Sequence, residues 1–325
     1  MEGYPTPEIN YLRMSVTDRC NLRCFYCTYW QDWEKLAAAE ILRYEELLRI
    51  AGVAARLGIR KIRITGGEPL VRRGLPKFIR SLRRIPGIDE ICLTTNGTLL
   101  AELAPALFEA GLRRLNVSLD TLIPGRYLQI TGRDNLADVL RGLECAAALG
   151  FHSIKINCVV LKGINDDELL DLALLARDHP LQVRFIELMP TASPREWKRR
   201  FLPAAEVRRR LRALGELAEM ASSVTSGPAR IFKVQGFVGE VGFISPMSEH
   251  RCGSCNRLRL TAQGRLRPCL LAEDEIDIKE AMRRGCADPE LASLFREAMQ
   301  SKHRGGASAG ESRAAAHPSM AAIGG

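Results

Sequence analysis

Residues 15–27 read Ser-Val-Thr-Asp-Arg-Cys-Asn-Leu-Arg-Cys-Phe-Tyr-Cys and set Cys20, Cys24 and Cys27 in a C-x3-C-x2-C spacing. A short apolar run, Leu12–Val16, precedes them and reads as a strand, so the cysteines lie on the loop it runs into. Three thiolates are one short of what a structural zinc site or a ferredoxin cluster takes from a protein. A cubane iron–sulfur cluster held by three cysteines leaves one iron open, and an open metal position is where chemistry can occur. A second trio, Cys252, Cys255 and Cys269 (C-x2-C-x13-C), repeats the deficit near the other end of the chain.

Cysteine is also a small buried hydrophobe, and Cys92, Cys145, Cys158 and Cys286, each in an apolar run, read that way. A C-x2-C pair alone is also compatible with zinc or redox chemistry. Ten cysteines in 325 residues are too dilute for a disulfide scaffold. The N-terminus lacks the basic and apolar regions of a signal peptide, and no apolar run approaches the roughly 20 residues a membrane span needs. A soluble, cytoplasmic chain with reduced thiols is expected. Lys and Arg exceed Asp and Glu by nine (47 − 38), which favours an anionic partner. Arg199-Arg200 and Arg208-Arg209-Arg210 read as solvated helix faces, and the sparse aromatics argue against base stacking on a single strand.

Apolar strands alternate with amphipathic helices along the first 190 residues. Strands are expected at Leu12–Val16, Lys61–Thr65, Glu90–Thr94, Arg114–Ser118, Ser153–Val160 and Gln182–Ile186. Helices are expected at Tyr44–Leu57, Leu75–Arg84, Leu100–Ala110, Leu136–Leu149 and Asp166–Arg177. The repeat implies an α/β fold with a parallel sheet, and Ile/Val-rich strands without clean alternation imply burial on both faces. Six units fall short of a closed eight-stranded barrel, so the expectation is an incomplete (β/α)6 TIM-type barrel. After about residue 190 come a helix at Pro203–Leu214, short strands at Ile231–Val234, Glu240–Ile244, Leu258–Leu260 and Arg265–Arg267, then helices at Ile278–Arg284 and Pro289–Met299. Three parts are therefore expected: 1–190, an α+β extension at 191–300, and a flexible tail at 301–325.

Parallel sheets bind ligands beyond the carboxyl ends of their strands. Thr65-Gly66-Gly67-Glu68-Pro69, Thr94-Thr95-Asn96-Gly97, Ser118-Leu119-Asp120, Lys155 with Asn157, and Met189 fall at or near such ends. The paired glycines would let backbone approach a ligand closely. Glu68 could accept from an ammonium.

With the C-x3-C-x2-C loop, Gly-Gly-Glu-Pro resembles the radical S-adenosylmethionine (SAM) superfamily. Cys252-x2-Cys255-Asn256-Arg257-Leu258-Arg259 with Cys269, and the closing Gly324-Gly325, resemble within it the MoaA family of GTP 3′,8-cyclases of molybdenum cofactor biosynthesis. The likeness runs from about residue 9 to 299 and resumes at the last few residues. It implies two [4Fe-4S] clusters, the first on Cys20, Cys24 and Cys27 and the second on Cys252, Cys255 and Cys269. SAM is then held at the first cluster by Tyr26, Gly67, Glu68, Ser118 and Met189. GTP is held by Arg13, Lys61, Arg63, Thr94, Lys155, Arg184, Arg257 and Arg259, with its guanine at the second cluster. Arg257, Arg259 and the Gly324-Gly325 tail, which reaches into the active site, then serve catalysis. The implied reaction removes the ribose 3′ hydrogen with a 5′-deoxyadenosyl radical and joins that carbon to C8 of guanine. A flavodoxin- or ferredoxin-type electron donor, a homodimer and product transfer to a cyclic pyranopterin monophosphate synthase are implied with it.

After Cys27 the family usually has Met-Pro, where this chain has Thr28-Tyr29-Trp30, and Ser301–His317 matches the family poorly. There is no P-loop, so GTP would be held by side chains. Two other readings compete: a peptide- or protein-modifying radical SAM enzyme with an auxiliary cluster, and a basic, metal-stabilised module that binds nucleic acid without catalysis.

Overall fold

The computed structural model describes residues 8–27, 35–190, 194–221, 227–249, 255–270 and 274–305. Six strands, β1 (Tyr11–Ser15), β2 (Lys61–Thr65), β3 (Glu90–Thr95), β4 (Arg114–Ser118), β5 (Ser153–Val160) and β6 (Leu181–Glu187), pair in chain order, all parallel. Helices α1 (Tyr44–Arg56), α2 (Leu75–Leu82), α3 (Leu100–Glu109), α4 (Pro124–Thr131), α5 (Leu136–Ala148) and α6 (Leu169–Leu174) provide the crossovers. This is the expected partial barrel. Its two edges do not meet, because each takes a strand from the C-terminal part of the chain.

At one edge β10 (Arg257–Leu260) pairs parallel with β1 and continues antiparallel into β11 (Arg265–Arg267) and β12 (Ile276–Asp277). At the other, β9 (Glu240–Ile244) pairs parallel with β6, followed by β8 (Arg230–Val234) and β7 (Leu217–Glu219), both antiparallel. The result is one twelve-stranded sheet. The α7 (Pro194–Arg200) and α8 (Ala204–Leu211) helices follow β6, while α9 (Ile278–Arg283) and α10 (Asp288–Gly305) close the described chain. Asp288 bonds Arg49 at 2.9 Å and Arg56 at 2.6 Å, which fixes the start of α10 on α1.

The strands do alternate, contrary to the sequence reading. On one face stand Leu12, Met14, Ile62, Ile64, Leu93, Leu115, Val117, Ile154, Ile156, Val183 and Phe185, all buried in the main core. The other face carries polar and charged groups, several of them buried too, including Lys61, Arg63, Thr65, Asn116 and Arg184. Burial on both faces was therefore the right expectation, but only one face is apolar. Cys92 belongs to the polar face, where its thiol donates to Glu90 at 3.0 Å; Cys158 and Cys286 are buried in the core and Cys145 packs against it.

The expected helix at Asp166–Arg177 contracts to Leu169–Leu174, and that at Pro289–Met299 lengthens to Asp288–Gly305. Arg199 and Arg209 are exposed as expected, whereas Arg200, Arg208 and Arg210 are half-buried; Arg209 bonds Glu206 at 2.7 Å and Arg210 bonds Asp166 at 3.0 Å. Among the described residues no helix is long and apolar enough to cross a membrane.

Candidate active site

The first cysteine loop leaves β1 and is pinned to the end of α4. Arg23 N donates to Thr131 O at 2.7 Å and Phe25 N to Ile130 O at 3.1 Å, while a turn joins Cys27 N to Cys24 O at 3.0 Å. Cys20 Sγ accepts from Leu22 N at 3.4 Å and from Asn96 Nδ2 at 3.8 Å. Burial pushes the Cys20 thiol up to about 11, with Glu68 adding. Cys24 is raised well above its ordinary value by burial, then by the charges of Cys27, Asp120 and Cys20. Three half-buried thiols, with Cys24 coupled to the other two, thus share an acid-flanked loop where thiolates need a cationic centre among them. Among the described residues no three His, Cys, Asp or Glu side chains close on a single metal ion. A cluster, whose sulfur ligands stand further apart, suits the donor set. Thr28-Tyr29-Trp30 lies outside the described residues.

Around this loop the strand ends supply the next groups. Glu68 is buried and accepts from Leu70 N at 2.9 Å, Thr95 Oγ1 at 2.7 Å and Asn96 N at 2.6 Å. Burial nonetheless raises its carboxyl to about 7, so an approaching ammonium would favour the charged form. Gly66 and Gly67 also lie tight against the chain itself. A Cβ on Gly67 would lie 2.4 Å from Arg19 O, and one on Gly66 2.6 Å from Thr17 O. The close approach is to the chain's own cysteine loop. The Tyr26 hydroxyl donates to Asp120 at 2.5 Å, and Asp120 also accepts from Val159 N at 2.8 Å, its carboxyl raised to about 6 by burial. Asp120 therefore fixes Tyr26, which lies between Cys24 and Cys27, a role its place in a strand-end turn did not reveal. Ser118 ends β4, and Met189 lies two residues past β6; both are half-buried.

The predicted GTP residues lie deeper than the strand ends expected of them. Register places Arg13 beside Arg63 and Arg259, Tyr11 beside Lys61 and Arg257, and Thr94 in line with Asn116 and Lys155, all on the polar face. Arg184 pairs with Asn157 on the same face. Lys61 bonds Glu90 at 2.5 Å, and Arg63 reaches both Tyr11 Oη and, at 3.4 Å, Thr94 Oγ1. Burial drops Arg13 to about 9 and Arg259 to about 10, Arg259 repelling the former and Arg257 the latter. Arg184 falls to about 10 through burial and Arg63. Lys155 falls to about 7 through burial, with Arg184, Arg63 and Lys61 adding. Arg259 Nε is buried with no hydrogen-bond partner among the described residues. Tyr11, which the motifs had not singled out, is pulled down against its burial by Arg63 and Arg13. The strict period-two spacing of Tyr11 and Arg13 was the signal that could have found it.

Cys255 and Cys269 of the second trio lie at the opposite end of these strands. Cys255 precedes β10 and Cys269 follows β11, whereas the first loop follows β1, the parallel neighbour of β10. From the Tyr11–Arg257 level to Ser15 is four residue steps, roughly 13 Å, and the cations fill that interval. Despite burial, the Cys255 thiol is lowered to about 6 by Arg257 and Lys302. Cys252, Gly324 and Gly325 lie outside the described residues.

The profile of the Radical SAM superfamily matches residues 14–176, and that named Molybdenum Cofactor Synthesis C matches residues 181–307. A GTP 3′,8-cyclase of Pelotomaculum thermopropionicum is 50% identical over 297 residues, covering 91% of each chain. One from Moorella thermoacetica is 49% identical over 295 residues, again covering 91% of each. The chain belongs to the GTP 3′,8-cyclase family of radical SAM proteins.

Among solved structures, Streptococcus suis SuiB bound to S-adenosylmethionine superposes with a TM-score of 0.59 at 14% identity, over 89% of this chain and 68% of that one. That likeness shows the fold alone. Family membership implies a [4Fe-4S] cluster and SAM, and the half-buried thiols of the Cys20–Cys27 loop fit such a cluster.

Proposed function

We propose that the chain converts GTP to (8S)-3′,8-cyclo-7,8-dihydroguanosine 5′-triphosphate, the first step of molybdenum cofactor synthesis. Cys20, Cys24 and Cys27 hold one [4Fe-4S] cluster and Cys252, Cys255 and Cys269 a second. The observation that carries the reading is the layer of buried Arg63, Arg184 and Arg259 with half-buried Arg13 and Lys155 between the two cysteine sets. So many like charges so close together are costly unless an anion joins them, and a triphosphate is such an anion.

Bound at the first site, cluster and SAM supply a 5′-deoxyadenosyl radical able to take a hydrogen from a ribose carbon. Glu68 accepts the SAM ammonium, and Tyr26, Gly67, Ser118 and Met189 line the rest of that molecule's path. Arg13, Lys61, Arg63, Thr94, Lys155 and Arg184 orient the nucleotide along the roughly 13 Å interval, so that its ribose faces the strand ends. Arg257 and Arg259, at the far end, hold it against the second cysteine set, and Gly324-Gly325 completes that end. The division of labour falls near residue 190, with the extension carrying the second centre. A low-potential flavodoxin or ferredoxin delivers electrons, the chain works as a homodimer, and the product passes to the next enzyme of the pathway.

Anaerobic incubation of reconstituted protein with SAM, dithionite and GTP tests the reaction. The expected outcome is 5′-deoxyadenosine beside a cyclised nucleotide, with about eight irons per chain if two cubanes are present. Formation of 5′-deoxyadenosine while GTP stays intact would transfer the chain to another radical SAM chemistry.

A further inference from the structure

Helix α10 buries Leu291, Phe295 and Ala298, a stripe with steps of four and three residues. The next step of four lands on Lys302. A cation at a position that the helix period assigns to an apolar residue costs desolvation, and a helix C-terminus returns only part of it. Lys302 Nζ donates to Cys255 Sγ at 3.3 Å and to Pro268 O at 2.9 Å. One partner is a cysteine of the second set and the other is the residue directly before Cys269. A single side chain therefore ties together two segments that the sequence separates by a strand, a turn and a second strand. The start of α10 is held on α1 by Asp288, so the helix delivers the lysine from a fixed base.

We propose that Lys302 is a positioning residue of the second cysteine site: it clamps Cys255 to the Cys269 segment and, through its N–H···S bond, raises the reduction potential of the iron centre held there. This rests on the reading of Cys252, Cys255 and Cys269 as cluster ligands. The physical ground is that a charged donor on a ligand sulfur offsets the negative charge gained on reduction, so it favours the reduced state. Lys302 itself touches neither nucleotide nor SAM in this account.

The test uses the full chain with Cys20, Cys24 and Cys27 all changed to Ala, so that only the second centre is observed. Lys302→Met and Lys302→Arg are then compared with this parent by iron content, low-temperature electron paramagnetic resonance and redox titration. Lys302→Met is expected to keep its iron but to show about a tenfold lower reduced-to-oxidised ratio at a fixed potential, equivalent to about 59 mV for one electron. Lys302→Arg should stay near the parent. An unchanged midpoint in an iron-replete Lys302→Met overturns the proposal. Iron lost from Lys302→Met but retained by Lys302→Arg supports the clamp; iron lost from both, with unaltered thermal unfolding, overturns it. An iron-free parent sinks the reading of the second trio, and the proposal with it.

Discussion

The two sets have three cysteines each, and Cys20 and Cys24 of the first stand in surroundings opposite to those of Cys255 in the second. Around the first, Asp120 and Glu68 add negative charge and burial drives the thiols up, Cys20 to about 11. Around the second, Arg257 and Lys302 outweigh burial and bring Cys255 down to about 6. A metal centre in an acidic setting resists taking an electron, and so gives it up readily once reduced; one in a basic setting accepts both electrons and anions. On the proposed reading, reductive cleavage of a sulfonium would ask for the former and capture of a polyphosphate nucleotide for the latter. Ligand count alone could not have told the two apart.

Exchanging the sets by mutation gives the largest expected effects. Cys24→Ala should abolish both 5′-deoxyadenosine and cyclised nucleotide, while Cys255→Ala should abolish only the latter, both read by chromatography with mass detection. Cyclised nucleotide from Cys255→Ala would erase the contrast. Next comes Arg259→Met. It should weaken GTP binding by about 1.5–3 kcal/mol, roughly ten- to hundredfold, by deleting a charge-assisted bond. It should also raise the melting temperature of the nucleotide-free protein, because it relieves the repulsion with Arg257 and an unmatched Nε. Calorimetry under argon and a thermal melt read the two signs, and a fall in both quantities would contradict the cation-layer argument.

Gly67→Ala should act on the first site only. Its Cβ, 2.4 Å from Arg19 O, must displace backbone next to Cys20, at a cost of about 1–3 kcal/mol. Iron at the first centre should fall while GTP affinity holds. The smallest effect concerns Lys155, whose ammonium is lowered to about 7 by burial and by Arg184, Arg63 and Lys61. A bound polyphosphate raises that value, so binding above pH 7 takes up a proton and affinity declines, by up to about tenfold per pH unit, between pH 7.5 and 9. Calorimetry in buffers of different ionisation enthalpy would detect the proton, and Lys155→Met should remove it.

Much of this was readable from residue order. Lys61–Thr65, Arg114–Ser118, Ser153–Val160, Glu240–Ile244 and Arg265–Arg267 have the bounds that their apolar runs and flanking turns predict. Helix α4 was missed because it opens on Pro124-Gly125 and is weakly amphipathic; α7, because its charges mask its period. The return of β10 to the side of β1 depends on pairing across most of the chain, which local pattern does not encode. The same holds for the site: thiols and arginines announce themselves by type, whereas the Asp120–Tyr26 bond and the Lys302–Cys255 bond arise only when distant segments meet.

The placement of β10 also governs how the protein is made. Asn256 bonds Asn10 across 246 positions, so the strand that leads into the first cysteine loop keeps one edge bare until most of the chain has left the ribosome. Pairings of such long sequence separation form late and slowly. The nascent N-terminal half therefore emerges with an exposed ladder and six cysteines, Cys20, Cys24 and Cys27 among them, before the seam can close.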